Sequence, residues 1–114
     1  MINGKRGTRM ETNIMNDIRH FVHERNWEQY HTGENLAKSV AIEAGELLEV
    51  FQWDSKEKSV EKVEEEVADV LLYCYMLCDC YGLDPIATMK KKMKRNAEKY
   101  PVERSYGSSK RYDE

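Results

Sequence analysis

Glu43-Ala44-Gly45-Glu46 and Glu66-Val67-Ala68-Asp69 decide how this chain is read. Each is a carboxylate pair spaced i, i+3 inside a segment of helical periodicity. Residues three apart on a helix share a face, with Cβ atoms roughly 5–6 Å apart. If the two helices lie side by side, four carboxylates meet at one spot. Both pairs border apolar stripes. On a helical wheel Leu36, Val40, Ala44, Leu47 and Phe51 share one arc, with Glu43 at its edge, Glu46 a step further out and Glu49 beyond. In the second segment Val63, Val67, Val70, Cys74 and Leu77 form the arc, flanked by Glu66, Asp69 and Tyr73.

Like charges at the edge of a core repel by roughly 4 kcal/mol per pair at about 4 Å and an effective dielectric of about 20. Raised pKa values or a bound cation relieve this. Both pairs offer only oxygen ligands, with no Cys or His, which suits Mg²⁺ or Mn²⁺ better than zinc. The plainer alternative is two solvated helix boundaries. Two pairs beside apolar stripes, with aromatic residues close by, weigh against it.

Working outward, Ile14, Ile18, Phe21 and Val22 place a first helix over about residues 11–25. Its His20 and His23 read as surface residues. The stretch Asn26-Trp27-Glu28-Gln29-Tyr30-His31 breaks the pattern with a loop rich in aromatic and hydrogen-bonding groups. Loops held by a rigid scaffold commonly carry binding residues. Thr32 N-caps a second helix to about Gln52. Inside it, Gly45 costs about 1 kcal/mol relative to alanine, tolerable if something approaches the backbone there. Asp54 with Glu57 caps a third helix, from about Ser55 to Tyr81. From Val67 on (VADVLLYCYMLCDCY) that helix is apolar on nearly every side, which in so small a domain predicts a subunit interface. Gly82 ends it. Asp84-Pro85 opens a fourth helix to Lys99, apolar on one face and basic on the other, and Tyr100-Pro101 stops it.

The period is helical throughout, so the expected fold is all-α, of four-helix-bundle type, assembled through helix packing between subunits. Residues 1–10 read as a disordered lead, 11–100 as a single helical domain and 101–114 as an extended tail. At 114 residues, 40% hydrophobic and 34% charged, the chain fits one ordinary core. A net charge of −3 gives no general attraction to a nucleic acid polymer or an anionic membrane. No apolar run reaches the ~20 residues of a membrane span, and Met1 to Arg9 lacks the apolar core of a secretory signal. Cys74, Cys78 and Cys80 match neither a disulfide framework nor a zinc motif, so reduced thiols in the cytoplasm are expected.

The order helix, aromatic loop, ExxE, Trp, ExxD, basic helix and Tyr-Pro resembles the MazG-like all-α nucleoside triphosphate pyrophosphohydrolases. It looks most like their dCTP pyrophosphatase branch. The resemblance covers about Phe21 to Tyr112 and rests on Glu24 to His31, Glu43 to Leu47, Phe51-Gln52-Trp53, Glu66 to Val70, Lys92-Met93, Asn96, Tyr100-Pro101 and Gly107-Ser108. It implies that Glu43, Glu46, Glu66 and Asp69 hold Mg²⁺, or Mn²⁺ in its place. It implies hydrolysis of an NTP or dNTP, dCTP-like or noncanonical pyrimidine nucleotides favoured, to monophosphate and pyrophosphate. Trp27, His31, Trp53 and Tyr73 would surround base and sugar, and Lys92 and Asn96 would contact phosphate. Such proteins are homodimers or homotetramers, in house-cleaning or pool control. Glu46 or Glu49 is the candidate general base. The chain departs from the pattern at Ile42, where a further glutamate is common, and in the short Asp54-Ser55-Lys56 segment, where the dCTP branch has a longer insertion.

Two other classes compete. A carboxylate-bridged di-iron bundle needs two Glu-x-x-His pairs, and only Glu28 to His31 matches, in a loop. A non-catalytic helical oligomeric interaction or nucleotide-binding module would explain the apolar third helix but not the carboxylates beside it.

Overall fold

The computed structural model describes residues 6–53 and 60–113, with side chains from Ile14 onward. Every regular element among them is helical: α1 (Arg6–Glu24), a 3₁₀ turn (Glu28–Tyr30), α2 (Gly33–Glu49), α3 (Val60–Cys80), α4 (Pro85–Lys99) and α5 (Val102–Ser105). The all-α expectation holds. Residues 6–10, assigned above to the lead, lie in α1. The expected cap at Asp54 and Glu57, like the short segment after Trp53, lies outside the described residues.

Local chemistry sets the helix ends. After α1 the chain closes with the Trp27 N–H donating to the Val22 carbonyl at 3.1 Å and the Asn26 N–H to that of His23 at 3.0 Å. Asn26 sits at φ 54°, the left-handed conformation that usually calls for glycine and that asparagine tolerates best among the others. Thr32 Oγ1 accepts from the Asn35 N–H at 3.1 Å, the N-cap expected for α2. Gly33 follows, and the Tyr81 ring lies against it so closely that a Cβ there would overlap the phenol. At Gly45, by contrast, nothing among the described residues lies within 4 Å of the place a Cβ would take, so they supply no close approach that would explain it.

The chain forms two compact units, divided between Gly82 and Leu83. In the first, α2 and α3 pack along each other and α1 packs on α3. Met15, Ile18 and Val22 from α1 are buried with Leu36 and Val50 from α2 and its end, and Leu36 alone of these is fully enclosed. Arg19 links α1 to α3 by donating from Nε and Nη2 to Asp79 Oδ1 at 2.9 and 2.7 Å.

The stripes that face inward are rotated from the expected arcs. On α2, Ala44 is exposed, and the inward residues run Leu36, Val40, Glu43, Leu47, Val50. On α3, Val67 and Leu71 are exposed, and Glu66 is the buried residue of the helix. Val63, Val70, Tyr73, Cys74 and Leu77 are half-buried around it. Each helix thus sets a glutamate in the middle of its packing stripe, where apolar residues are the rule. The apolar surface left over faces outward: Ile42 and Leu48 on α2, Val67, Leu71 and Leu72 on α3. No single helix among the described residues is long and apolar enough to cross a membrane.

In the second unit Asp84 caps α4 by accepting from the Ile86 N–H at 3.2 Å, ahead of a buried Pro85 at the first helical position. The stretch after Pro101, expected to be extended, carries α5 and then turns back at Gly107, whose φ is 75°. The Tyr112 ring ends edge-on against Tyr100, with centroids 5.8 Å apart.

Candidate metal centre

Glu43 and Glu46 leave one face of α2 one turn apart, and Glu66 meets them from α3. One carboxylate oxygen from each lies within 4.8 Å of the others. Their burial is graded: Glu46 is exposed, Glu43 half-buried, and Glu66 only 9% exposed. Glu66 Oε1 is sealed from solvent and has no hydrogen-bond partner among the described residues. A buried carboxylate oxygen with nothing to accept is an unfavourable arrangement that native proteins rarely leave standing.

Electrostatics at Glu43 point the same way. Its pKa is raised, first by burial and then by repulsion from Glu46, Asp69 and Glu66. Asp69 is half-buried one turn beyond Glu66, close enough to act on Glu43 but outside the tight trio. Glu49 is exposed a turn past Glu46, also outside the trio. Three all-oxygen donors, an unpartnered buried oxygen and a carboxylate pushed toward its neutral form fit a hard divalent cation.

The other residues singled out in the sequence are dispersed. His31 lines a cleft of about 420 Å³ between α1 and α3, with Ile18, Val22, Met76 and Cys80. Trp27, Trp53 and Tyr73 are not part of its lining. Trp27 stands edge-on to Phe21, centroids 5.8 Å apart, and the Arg25 guanidinium lies 3.7 Å over the Phe21 ring. Trp53 is 87% exposed just before the segment that is not described, and Tyr73 is half-buried on α3. Lys92 and Asn96 are exposed on α4, in the second unit. The di-iron reading finds no support, because His31 is not grouped with the carboxylates.

Sequence reading overlooked the cleft. Its signal was present: Glu66, Asp69, Tyr73, Met76 and Cys80 repeat at intervals of three and four along one face of α3. At 1.5 Å per residue, Met76 stands roughly 10 Å along the helix from Asp69, with Tyr73 between. At its edge His23 Nδ1 and Glu28 Oε2 are 2.8 Å apart, a bond that holds the Glu28 carboxyl below its usual pKa. None of the three cysteines is in a disulfide among the described residues, and the Cys80 Sγ donates to the His31 carbonyl at 3.7 Å.

Comparison with known proteins now bears on this geometry. The model of the MazG-like family matches residues 38–114, which include both carboxylate pairs. Rat dCTP pyrophosphatase 1 is 37% identical over 101 residues, 81% of this chain and 59% of that protein. The human protein of the same name is 33% identical over 105 residues, 82% of this chain and 61% of that one. The chain therefore spans about three fifths of the length of these relatives. A crystal structure of a pyrophosphatase from Archaeoglobus fulgidus superposes with a TM-score of 0.70 at 43% identity, over 79% of this chain and 91% of that one. A match of this extent, carried by the carboxylate helices themselves, places the chain in the MazG-like family.

Proposed function

We propose that this protein is a nucleoside triphosphate pyrophosphohydrolase that cleaves the bond between the α- and β-phosphates, releasing monophosphate and pyrophosphate. The observation that carries the reading is the convergence of Glu43, Glu46 and Glu66 around an unpartnered buried oxygen. The names of the relatives, dCTP pyrophosphatase and pyrophosphatase, support the reaction and favour a pyrimidine deoxynucleotide as substrate.

Glu43, Glu46 and Glu66, with Asp69 beside them, would hold Mg²⁺ or Mn²⁺. Such a cation supplies charge to offset the phosphate oxygens as the anhydride breaks. The carboxylates differ in what they can do. Glu66 is enclosed and Glu43 half-enclosed, which fixes their positions. Glu46 is exposed within the trio and so can take a proton from an entering water, the role of a general base. Glu49 is the alternative base, one turn further from the trio. The cleft between α1 and α3, reached past Tyr73, has the volume and apolar lining to receive a base against His31, Met76 and Cys80. Trp27 and Trp53 would close on base and sugar, and Lys92 and Asn96 would meet phosphate.

A homodimer or homotetramer is part of the proposal. Ile42, Leu48, Val67, Leu71 and Leu72 are exposed large apolar side chains on α2 and α3, and subunit interfaces cover side chains of this kind. Cysteines without a disulfide among the described residues agree with a reducing cytoplasm. The same apolar side chains also favour the second reading, a non-catalytic helical interaction module.

Product analysis separates the two. The protein is incubated with a panel of NTPs and dNTPs in Mg²⁺ or EDTA, and the products are resolved. Mg²⁺-dependent monophosphate plus pyrophosphate is the expected result. Diphosphate plus orthophosphate would mean that a different bond is cut, and absence of turnover throughout would favour the interaction module.

A further inference from the structure

The two units of the chain carry opposite net charge. Residues 83–114 hold nine Lys and Arg against five Asp and Glu, whereas residues 1–82 hold nine against sixteen. In the second unit the basic side chains are gathered rather than spread. Lys99 at the end of α4, Arg104 on α5, and Lys110 and Arg111 in the returning tail line one cleft of about 250 Å³, with Ser105 and Ser108.

The cleft is built by the fold of the tail. Gly107 in its left-handed conformation reverses the chain, and the Ser108 N–H donates to the Ser105 carbonyl at 3.0 Å. Ser108 Oγ then accepts from the Lys110 N–H at 3.2 Å. Tyr112 closes the loop on Tyr100, and the Lys99 ammonium lies 4.9 Å over the Tyr112 ring. Arg111 is held by Asp113, donating to its two oxygens at 3.1 and 3.2 Å. Among the described residues no carboxylate pairs with Arg104 or Lys110, so two cations face the cleft without a counter-charge.

We infer that this cleft is an anion site for a condensed phosphate chain, the di- or triphosphate portion of a nucleotide or free pyrophosphate. Size favours the chain over a whole nucleotide, since pockets for drug-sized ligands run to about 300–1,000 Å³. The donor set suits it too. A guanidinium presents paired N–H groups to phosphate oxygens, an ammonium supplies a compact charge, and serine hydroxyls complete the shell. The binding itself stands apart from the proposed reaction; only the source of the anion rests on that reading.

The test uses the full chain in EDTA, so that no cation at the carboxylates contributes. Tripolyphosphate is titrated calorimetrically, with amide shifts of Ser105, Ser108 and Lys110 followed by NMR. One anion per chain is expected, shifting those amides. The double variant Arg104→Gln/Lys110→Gln should bind at least about tenfold more weakly. The charge-keeping pair Arg104→Lys/Lys110→Arg should bind more tightly than the glutamine pair, with a partial loss where position 104 gives up the paired N–H groups. Both side chains are exposed, so the helical signal and melting temperature should hold in each variant. Absence of saturable binding in the parent overturns the inference, as does equal binding by the glutamine pair or equal loss in the charge-keeping pair. Turnover then names the source. A raised KM for the nucleotide at unchanged kcat assigns the cleft to the substrate's phosphates, and an unchanged KM with weaker pyrophosphate inhibition assigns it to the free product. Failure of every nucleotide to react would refute the proposed reaction and leave the titration to decide the site.

Discussion

Glu66→Gln should stabilise the protein without metal and weaken it with metal, a reversal that no purely structural role for Glu66 produces. At the outer separation of 4.8 Å within the carboxylate trio, two full charges repel by about 3.5 kcal/mol at an effective dielectric of about 20. Most of that is relieved already. Glu46 is exposed and screened by water, and Glu43 moves toward its neutral form. About 1–2 kcal/mol should survive after this discount. Replacing Glu66 by glutamine removes the enclosed charge at almost constant volume, and the new amide can donate to Glu43. At about 4–8 °C per kcal/mol, melting in EDTA should rise by about 5 °C or more. A cation at a hundred times its dissociation constant adds about 2.7 kcal/mol to the parent, a rise of about 10 °C or more. The variant should lose most of that gain and melt below the parent in Mg²⁺. Melting followed by circular dichroism, with EDTA or MgCl₂, reads both halves. A variant that melts lower in EDTA, or gains as much from Mg²⁺ as the parent does, would refute the argument.

Other outcomes follow from the same geometry. Because the folded-state pKa of Glu43 is raised, the folded protein holds a proton that the unfolded chain has released, so this contribution to stability is full at low pH and is lost as pH rises through the raised value. Melting in EDTA should therefore fall over that window, less steeply in Glu43→Gln, and an identical slope in both would remove Glu43 as the cause; the Mg²⁺ gain should grow over the same range. Glu46→Gln should abolish turnover while leaving the helical signal and oligomer size intact, and near-normal activity would pass the role of base to Glu49. Trp53 is almost wholly exposed, so Trp53→Ala should leave melting within about 0.5 kcal/mol of the parent yet raise KM severalfold; an unchanged KM would take Trp53 out of the base site.

Much of this was legible in the sequence, and what was not has a physical cause. The caps at Thr32 and Asp84 and the stop at Gly82 were readable because each depends on a side chain or a φ angle within a few residues. The carboxylate pairs were readable because their spacing fixes a common helix face. The rotation of the stripes was not. Ala44 and Val67 carry the apolar signal, and periodicity alone turns them inward. Yet the apolar residues of α2 and α3 spread beyond the inward stripe, with Ile42 and Leu48 about 120° to either side of Leu36 on α2, and Leu71 about 80–100° round from Val63 and Val70 on α3, Val67 lying between. A hydropathy pattern reports that the whole spread must be covered, not which part meets the neighbouring helix and which meets something else. In this fold the glutamate side meets the neighbour. Burying Glu66 unpartnered is unfavourable unless a cation takes its free oxygen, and leaving Leu71 and Leu48 in water is unfavourable unless another subunit covers them. The isolated chain therefore looks under-satisfied at two places that share one origin, the turn of each helix that brings carboxylates together inside and exposes apolar residues outside. Metal and subunit association should then reinforce each other. If covering the outer face fixes the facing of α2 and α3, it also fixes the trio, and Mg²⁺ should tighten the oligomer while dilution should weaken the Mg²⁺ response. Sedimentation of the protein across a dilution series, with and without Mg²⁺, measures that coupling, and an oligomer size indifferent to the cation would show that the two faces are satisfied independently.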